Sequence, residues 1–169
     1  MTKEFSVELG PHKADFNVPD DFDVVVDVNK NFGTAISRRV KVKRLMYAQI
    51  VPGYPKLETM ETRRRLCGET ISNAQNFRIR YVLPLADAST KHDQIAPSTY
   101  KAPIDDNLDN HEGLYLVCNF DTGMIVERGI YWFNEDTICD IYYIYIQNDT
   151  EMSSVIKEIK ASTKLTALN

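Results

Sequence analysis

The sequence predicts a mainly β protein: a single-domain antiparallel sandwich or barrel, jelly-roll-like or up-and-down, with a C-terminal amphipathic helix and a short helix near residues 57–66. Apolar and polar residues alternate with a period of two along several short runs, as in strands that bury one face. Residues that favour turns separate three dense apolar runs between 113 and 147. The 169 residues, of which 43% are hydrophobic and 26% charged, have the composition of one globular domain, residues 1–169, large enough to fold without disulfides or metals.

The first half of the chain contains four alternating runs and one helical pattern. The runs predict strands at residues 5–9, 22–28, 40–47 and 77–83. Between the third and fourth runs, Leu57 and Met60 share a helical face, and Glu61 and Arg65 have the spacing of a favourable ion pair. This pattern predicts the short helix near 57–66.

Residues 86–111 are predicted to form one long polar loop, because they contain Pro97, Pro103 and many Asp and Asn residues. Loops of this length in compact domains are commonly functional or mobile.

The second half predicts a meander of three strands, because Asp121-Thr122-Gly123 and Asn134-Glu135-Asp136 are turn signals between apolar runs. The last run, 137–147, is apolar on both sides and therefore predicts a central strand.

The C-terminal helix is predicted over residues 150–161. Met152, Val155, Ile156 and Ile159 fall at the spacing of one helical face, and Asp149 or Thr150 can cap its start.

Charge is segregated along the chain. The net charge is -4, but residues 38–80 carry 11 basic and 3 acidic groups, whereas residues 81–169 carry 6 basic and 14 acidic groups. We interpret the basic segments 38–44, 63–65 and 78–80 as one anion-binding face. Its predicted residues are Arg38, Arg39, Lys41, Lys43, Arg44, Arg63, Arg64, Arg65, Arg78 and Arg80.

The basic face predicts a non-enzymatic assembly or interaction protein. Its partner would be an acidic protein, another copy of the chain, or an anionic membrane or nucleic acid surface. A sequence pI near 5.4 disfavours tight nucleic acid binding and leaves head-to-tail self-association attractive. The alternative is that these cations pair with the molecule's own acids at 15–27 or 105–112.

No catalytic or metal-binding motif is present, so we predict no cofactor and no metal, and an enzyme is the less favoured interpretation. Asp105, Asn107 and Asp109 have the spacing of a calcium loop, but Asn110 replaces the required glycine and Leu116 the required glutamate. The three histidines have no nucleophile motif beside them; they are His12, His92 and His111. A site assembled in space stays open.

The alternative function is a small β-barrel that binds an apolar ligand, with or without lyase, isomerase or hydrolase activity. Glu127 and Arg128 could face a barrel interior, although charged residues in strands more often face solvent. The aromatic residues of the meander could line a cavity, although a packed core is the commoner outcome. They are Tyr131, Trp132, Phe133, Tyr142, Tyr143 and Tyr145.

Residues Tyr54-Pro55-Lys56-Leu57 resemble the short YPxL linear motif of some viral matrix and structural proteins. That resemblance implies a viral structural or matrix-type protein in which Tyr54, Pro55 and Leu57 recruit the host membrane-scission machinery.

The compartment is predicted to be intracellular and cytoplasmic. Cys67, Cys118 and Cys139 are odd in number and lack paired spacing, which favours reduced thiols. The first residues show no apolar leader, and no apolar run is long enough to cross a membrane.

Overall fold

The computed structural model describes residues 1–27, 29–37, 44–56, 59–77, 97–100, 102–120 and 123–167. Within them the chain forms eleven strands and two helices. In order they are β1 (Thr2–Leu9), β2 (His12–Pro19), β3 (Phe22–Val26), β4 (Phe32–Ser37), β5 (Leu45–Val51), α1 (Thr59–Phe77), β6 (Pro97–Tyr100), β7 (Ile104–Leu108), β8 (His111–Phe120), β9 (Met124–Trp132), β10 (Ile138–Ile146), α2 (Met152–Ser162) and β11 (Lys164–Ala167).

The strands form two antiparallel sheets. The larger sheet follows the path β3-β4-β5-β10-β9-β8-β6, and β7 also pairs with β8; the smaller sheet has the order β1-β2-β11. Among the described strands, β3 and β6 end the path and do not pair with each other, so the larger sheet is open. The predicted antiparallel sandwich is confirmed, and the barrel alternative is wrong. The extent of the domain, residues 1–169, stays a prediction.

The core lies on both faces of β10, which sits between β5 and β9. Ile141 and Tyr143 pack on one face with residues of the smaller sheet and α2. Tyr142 and Ile144 pack on the other face with residues of α1, among them Leu66. A strand covered on both faces must be apolar on both sides, which is why residues 137–147 predicted a central strand correctly.

Helix α2 confirms the C-terminal amphipathic helix and buries Met152, Ile156 and Ile159. The predicted cap is wrong. The N-cap residue is Glu151, and its side chain makes no capping hydrogen bond. The carboxylate of Asp149 is instead held by Arg44.

Helix α1 begins at Thr59 and ends at Phe77, about three turns beyond the C-terminus of the short helix predicted near 57–66. Among the side chains of α1 that the structure describes, the buried ones are Thr62, Leu66, Thr70 and Ala74, at a spacing of four residues. Because two of these four residues are polar, the apolar periodicity is weak, and the sequence pattern predicts a helix that is too short. The predicted strand at 77–83 is wrong at residue 77, which ends α1, and its other residues lie outside the described part of the chain.

The predicted loop at 86–111 is wrong for its second half, where β6 and β7 form; residues 86–96 lie outside the described part. Asp109 and Asn110 form a two-residue turn that joins β7 to β8, with Leu108 opposite His111. Both turn residues have positive φ, of 46° and 64°, which Asp and Asn tolerate well.

Neither described helix is both long enough and apolar enough to span a membrane.

Candidate functional site

Six of the ten predicted basic residues lie outside the described part of the chain: Arg38, Arg39, Lys41, Lys43, Arg78 and Arg80. Of the remaining four, Arg44 lies just before β5. Its Nε and Nη2 atoms donate to the two carboxylate oxygens of Asp149 at 2.6 and 2.9 Å. Both side chains are largely buried, so this pair is part of the fold and leaves Arg44 little freedom to bind an external anion.

The other three lie on the N-terminal half of α1. Arg65 stacks on the ring of Tyr54 at 3.9 Å and pairs with Glu69, one turn later, at 3.4 Å. Arg63 pairs with Asp105 of β7 at 3.0 Å. Arg64 is exposed, and no carboxylate of the described residues pairs with it.

These two described groups of cations are not brought together. Arg44 precedes β5, whereas Arg65 packs on Tyr54, which follows β5. The seven-residue strand spans about 20 Å at roughly 3.3 Å per residue, about twice the Debye length in physiological salt. The single continuous basic face therefore stays a prediction that depends on the undescribed segments.

Several basic side chains of residues 38–80 pair with acids of residues 81–169. These pairs include Arg44–Asp149, Lys56–Glu112 and Arg63–Asp105. Two of these acids fall in the 105–112 segment that the sequence suggested as an internal partner. Folding thus cancels part of the charge segregation seen along the sequence.

The tyrosine of the segment that resembles the YPxL motif is buried. The side chain of Tyr54 is 3% exposed, and its hydroxyl donates to Glu69 Oε1 at 2.6 Å. The backbone N–H of Tyr54 donates to the carbonyl of Asp136 at 2.7 Å. A linear motif must be accessible to be bound, and this fold does not present Tyr54 to a partner. Pro55 is exposed, and Leu57 lies outside the described residues.

Arg128 is buried under α1, so the expectation that it faces solvent is wrong. Its guanidinium donates to both carboxylate oxygens of Asp140, at 2.8 and 2.9 Å. A third donor atom reaches the hydroxyl of Thr70 on α1 at 3.2 Å. Gln49 donates to the same carboxylate at 3.0 Å. Burial lowers the pKa of Arg128, but Asp140, together with Tyr142 and Tyr54, outweighs burial and raises that pKa above its usual value.

Glu127 points to the opposite face of β9 and lies among tyrosines. It accepts hydrogen bonds from the hydroxyls of Tyr115, at 2.7 Å, and Tyr145. Nearby, the buried hydroxyl of Tyr143 has no hydrogen-bond partner among the described residues. Burial raises the pKa of Tyr143 above its usual value of 10.0. Tyr131, Tyr142 and Tyr143 are fully buried, so these aromatic residues belong to a packed core, the commoner of the two outcomes considered, and do not line an internal cavity.

A cleft of about 290 Å³ opens between the start of α1 and the β7–β8 hairpin. Its walls combine carboxylates, one ammonium group and the ring of Trp132. The lining residues are Lys56, Thr62, Asp105, Asp106, Asn107, Glu112, Gly113, Leu114 and Trp132. Sequence reasoning missed this cleft because its residues come from four separate stretches, and the only hint was the acidic 105–112 segment.

Residues 105–109, which have the spacing of a calcium loop, instead form part of β7 and of the turn that joins it to β8. Asp109 accepts a hydrogen bond from the N–H of Leu165 at 2.8 Å. Within the described ranges, no three His, Cys, Asp or Glu side chains lie close enough to hold a metal ion. His12 and His111 both pack against Phe133, and His92 lies outside those ranges.

No sequence-family profile matches the chain, and no curated protein matches it by sequence. Its fold is similar to three solved structures that have 9–11% sequence identity to it. LpqN, involved in cell envelope biogenesis of Mycobacterium tuberculosis, has a TM-score of 0.56 over 98% of this chain and 91% of LpqN. The Saccharomyces cerevisiae Ran-binding protein Mog1p has a TM-score of 0.53 over 97% and 96%. Cyanobacterial PsbP from Synechocystis sp. PCC 6803 has a TM-score of 0.52 over 96% and 91%. At this identity the likeness shows a shared β-sandwich fold.

Proposed function

We propose that this chain is a non-enzymatic interaction protein that binds an acidic surface of a protein partner through Arg63 and Arg64 on α1. The observation that carries the proposal is that neither arginine is held by a buried carboxylate of the described residues. Arg64 is exposed and has no carboxylate partner among the described residues. Its neighbour Arg63 is paired only with Asp105 there, and the side chain of Asp105 is 90% exposed.

The side chain of Arg63 is 23% exposed, whereas that of its partner Asp105 lies almost wholly in solvent. A pair with one partner in solvent contributes about 1 kcal/mol or less to stability, so a partner's carboxylate can replace Asp105 at little cost. Arginine suits this role because its planar guanidinium binds carboxylates with two parallel hydrogen bonds. Met60 lies one turn before Arg63 on α1 and is 62% exposed. An exposed apolar side chain beside two arginines supplies the contact area that charge pairs alone lack.

The cations of segments 38–43 and 78–80 stay part of the basic face predicted from the sequence, whereas Arg44 and Arg65 are assigned to the fold. Mog1p, which shares the fold, is a Ran-binding protein, and this likeness supports a protein partner for this chain. The burial of Tyr54 removes the support for a role in virus assembly. The packed tyrosine core likewise removes support for the barrel that binds an apolar ligand.

The test compares two double charge reversals. Arg63→Glu with Arg64→Glu alters the proposed surface, and Lys157→Glu with Lys164→Glu makes the same charge change at exposed positions of α2 and β11. The probe is an oligoglutamate peptide, with binding measured by calorimetry at low and high salt. We expect salt-sensitive binding that the first variant weakens about tenfold and the control less than about twofold.

Three parallel measurements separate the other partners: sedimentation velocity for a second copy, phosphatidylserine vesicles for a membrane, and duplex DNA for nucleic acid. Salt-sensitive self-association that the Arg63 and Arg64 reversal abolishes would identify the acidic protein as another copy. Equal losses in both variants, or binding to vesicles or DNA without binding to the peptide, would overturn the proposal.

A further inference from the structure

The cleft at the start of α1 carries the opposite charge to the arginines beside it. Its lining residues include three acids and one lysine, Asp105, Asp106, Glu112 and Lys56, of which Asp105 also pairs with Arg63 and Asp106 with Lys160. Trp132 forms an apolar wall, and its indole N–H donates to the carbonyl of Tyr54 at 3.1 Å, which fixes the orientation of the ring. Carboxylates next to an aromatic face are the groups that hold an ammonium or guanidinium ion.

A cation of the chain itself already occupies this position. The ammonium of Lys56 pairs with Glu112 and lies 5.6 Å from the centre of the Trp132 ring. The backbone beside it is fixed, because the N–H of Lys56 donates to the carbonyl of Glu135 at 3.1 Å. The side chains of Lys56 and Glu112 are 44% and 69% exposed, so the lysine can swing into solvent while its backbone stays in place.

The cleft adjoins an open sheet edge. Within the described part of the chain, β7 pairs with β8 on one side and with no strand on the other. Ile104, the first residue of β7, is 62% exposed. An exposed edge strand can add an extended segment of a partner through main-chain hydrogen bonds. Two copies of β7 would place Asp105 and Asp106 against the same acids, which disfavours pairing with itself.

We propose that the cleft binds an arginine or lysine side chain of an extended partner segment that pairs along β7, and that Lys56 is the internal occupant which this side chain displaces. The positive charge of the ligand takes the place of the Lys56 ammonium beside Glu112, and its apolar stem lies on Trp132. The site takes a ligand of the opposite charge to that bound by the arginine surface of the proposed function, and the two adjoin at Asp105, which pairs with Arg63.

The probe is a short acetylated and amidated peptide with arginine between β-branched residues, and its control has citrulline, a neutral isostere, in place of arginine. Trp132 is the only tryptophan of the chain, so its fluorescence and its indole N–H resonance report on the cleft directly. The variants are Lys56→Met, which keeps the length of the stem and removes the internal cation, and Glu112→Gln, which removes one carboxylate. Both positions are exposed or half-exposed, and circular dichroism checks that the fold persists.

We expect the arginine peptide to perturb Trp132 and the citrulline peptide to leave it unchanged. Lys56→Met should tighten binding about fivefold, because the ligand no longer competes with an internal cation, and Glu112→Gln should weaken it about fivefold. Arg64→Glu tests the proposed function separately and should not weaken binding of the arginine peptide. Equal binding of the citrulline peptide, or weaker binding to Lys56→Met, would overturn the inference. Binding of free spermidine without binding of the peptide would overturn the inference that the cation belongs to an extended segment of a partner.

Discussion

Arg128 of β9 and Asp140 of β10 form a pair of two parallel hydrogen bonds, 2.8 and 2.9 Å long, in the middle of the larger sheet. The exposed fractions of the two residues are 3% and 1%. The pair also anchors α1, because Arg128 donates to Thr70 of that helix. Where the side chains of α1 are described, two polar and two apolar ones are buried, and the helix thus docks on the sheet partly through a buried charge.

Arg128→Met should lower the free energy of unfolding by about 3–5 kcal/mol, because it leaves the buried carboxylate of Asp140 without its cation. Methionine keeps much of the volume of the arginine stem, so the loss of unfolding free energy measures the effect of removing the charge more than the effect of creating a cavity. Urea denaturation monitored by circular dichroism measures it.

The control is the double variant Arg128→Met with Asp140→Leu. Replacing a buried pair by apolar residues is often close to neutral, so the double variant should be more stable than Arg128→Met alone. A single variant as stable as the parent would contradict the structural role assigned to this pair.

Asp106 should make stability dependent on pH below neutrality. Burial opposes its ionisation, but hydrogen bonds from Lys160, at 2.8 Å, and Tyr131, at 2.6 Å, outweigh burial and lower the pKa of Asp106 below its usual 3.8. A carboxyl whose pKa is lower in the folded state stabilises the fold above its unfolded pKa and loses this effect as the pH falls through its folded pKa.

Asp106→Asn should therefore be less stable than the parent at pH 7, and the difference should shrink below about pH 4. Thermal unfolding at a series of pH values measures this. Glu158→Gln, at an exposed position of α2, controls for the change in net charge. A difference that stays constant down to strongly acidic pH would contradict the ionised Asp106.

Gly113 and Gly68 should respond in opposite directions to alanine. A Cβ at Gly113 would overlap the carbonyl oxygen of Ile130 and lie 2.5 Å from Cδ1 of Tyr131. The backbone of β9 cannot move aside without breaking its pairing, so Gly113→Ala should cost about 1–3 kcal/mol or more. A Cβ at Gly68, on the exposed side of α1, meets nothing within 4 Å.

Gly68→Ala should accordingly stabilise the protein by about 0.5–1 kcal/mol, because alanine favours helix over glycine. Thermal unfolding of the two variants in the same buffer checks both signs. A destabilising Gly68→Ala would contradict the position of α1, and a neutral Gly113→Ala would contradict the close approach of β8 and β9.

The meander and α2 were predictable because each carries a simple apolar pattern that matches its surroundings. Tyr142 and Tyr143 point to opposite faces of β10, and both faces are covered. The run is therefore apolar at successive positions, which is the pattern of a central strand. The edge strand β7 was missed because an edge strand with Asp105 and Asp106 looks like a loop. The C-terminal half of α1 was missed because Thr70 and Asn73 face polar partners under the helix.

The candidate sites were the least predictable part. Lys56 and Glu112 lie far apart in sequence, and nothing local in either stretch indicates that they pair. Arg44 and Asp149 are separated by 105 residues, and the sequence assigned one to a basic face and the other to a helix cap. Long-range ion pairs depend on chain topology, which alternation and turn signals do not specify.

The order of the apolar and polar residues alone determined that this chain is β-rich, with a central strand that is apolar on both sides, since burial of apolar surface follows local periodicity. The choice of an open sandwich over a barrel was decided by the tertiary structure. Only the tertiary structure decided which cations are neutralised and which stay available, and where the cleft beside Trp132 opens. The reason is that charge acts through distances in space, and the fold brings the basic middle of the chain against its acidic second half.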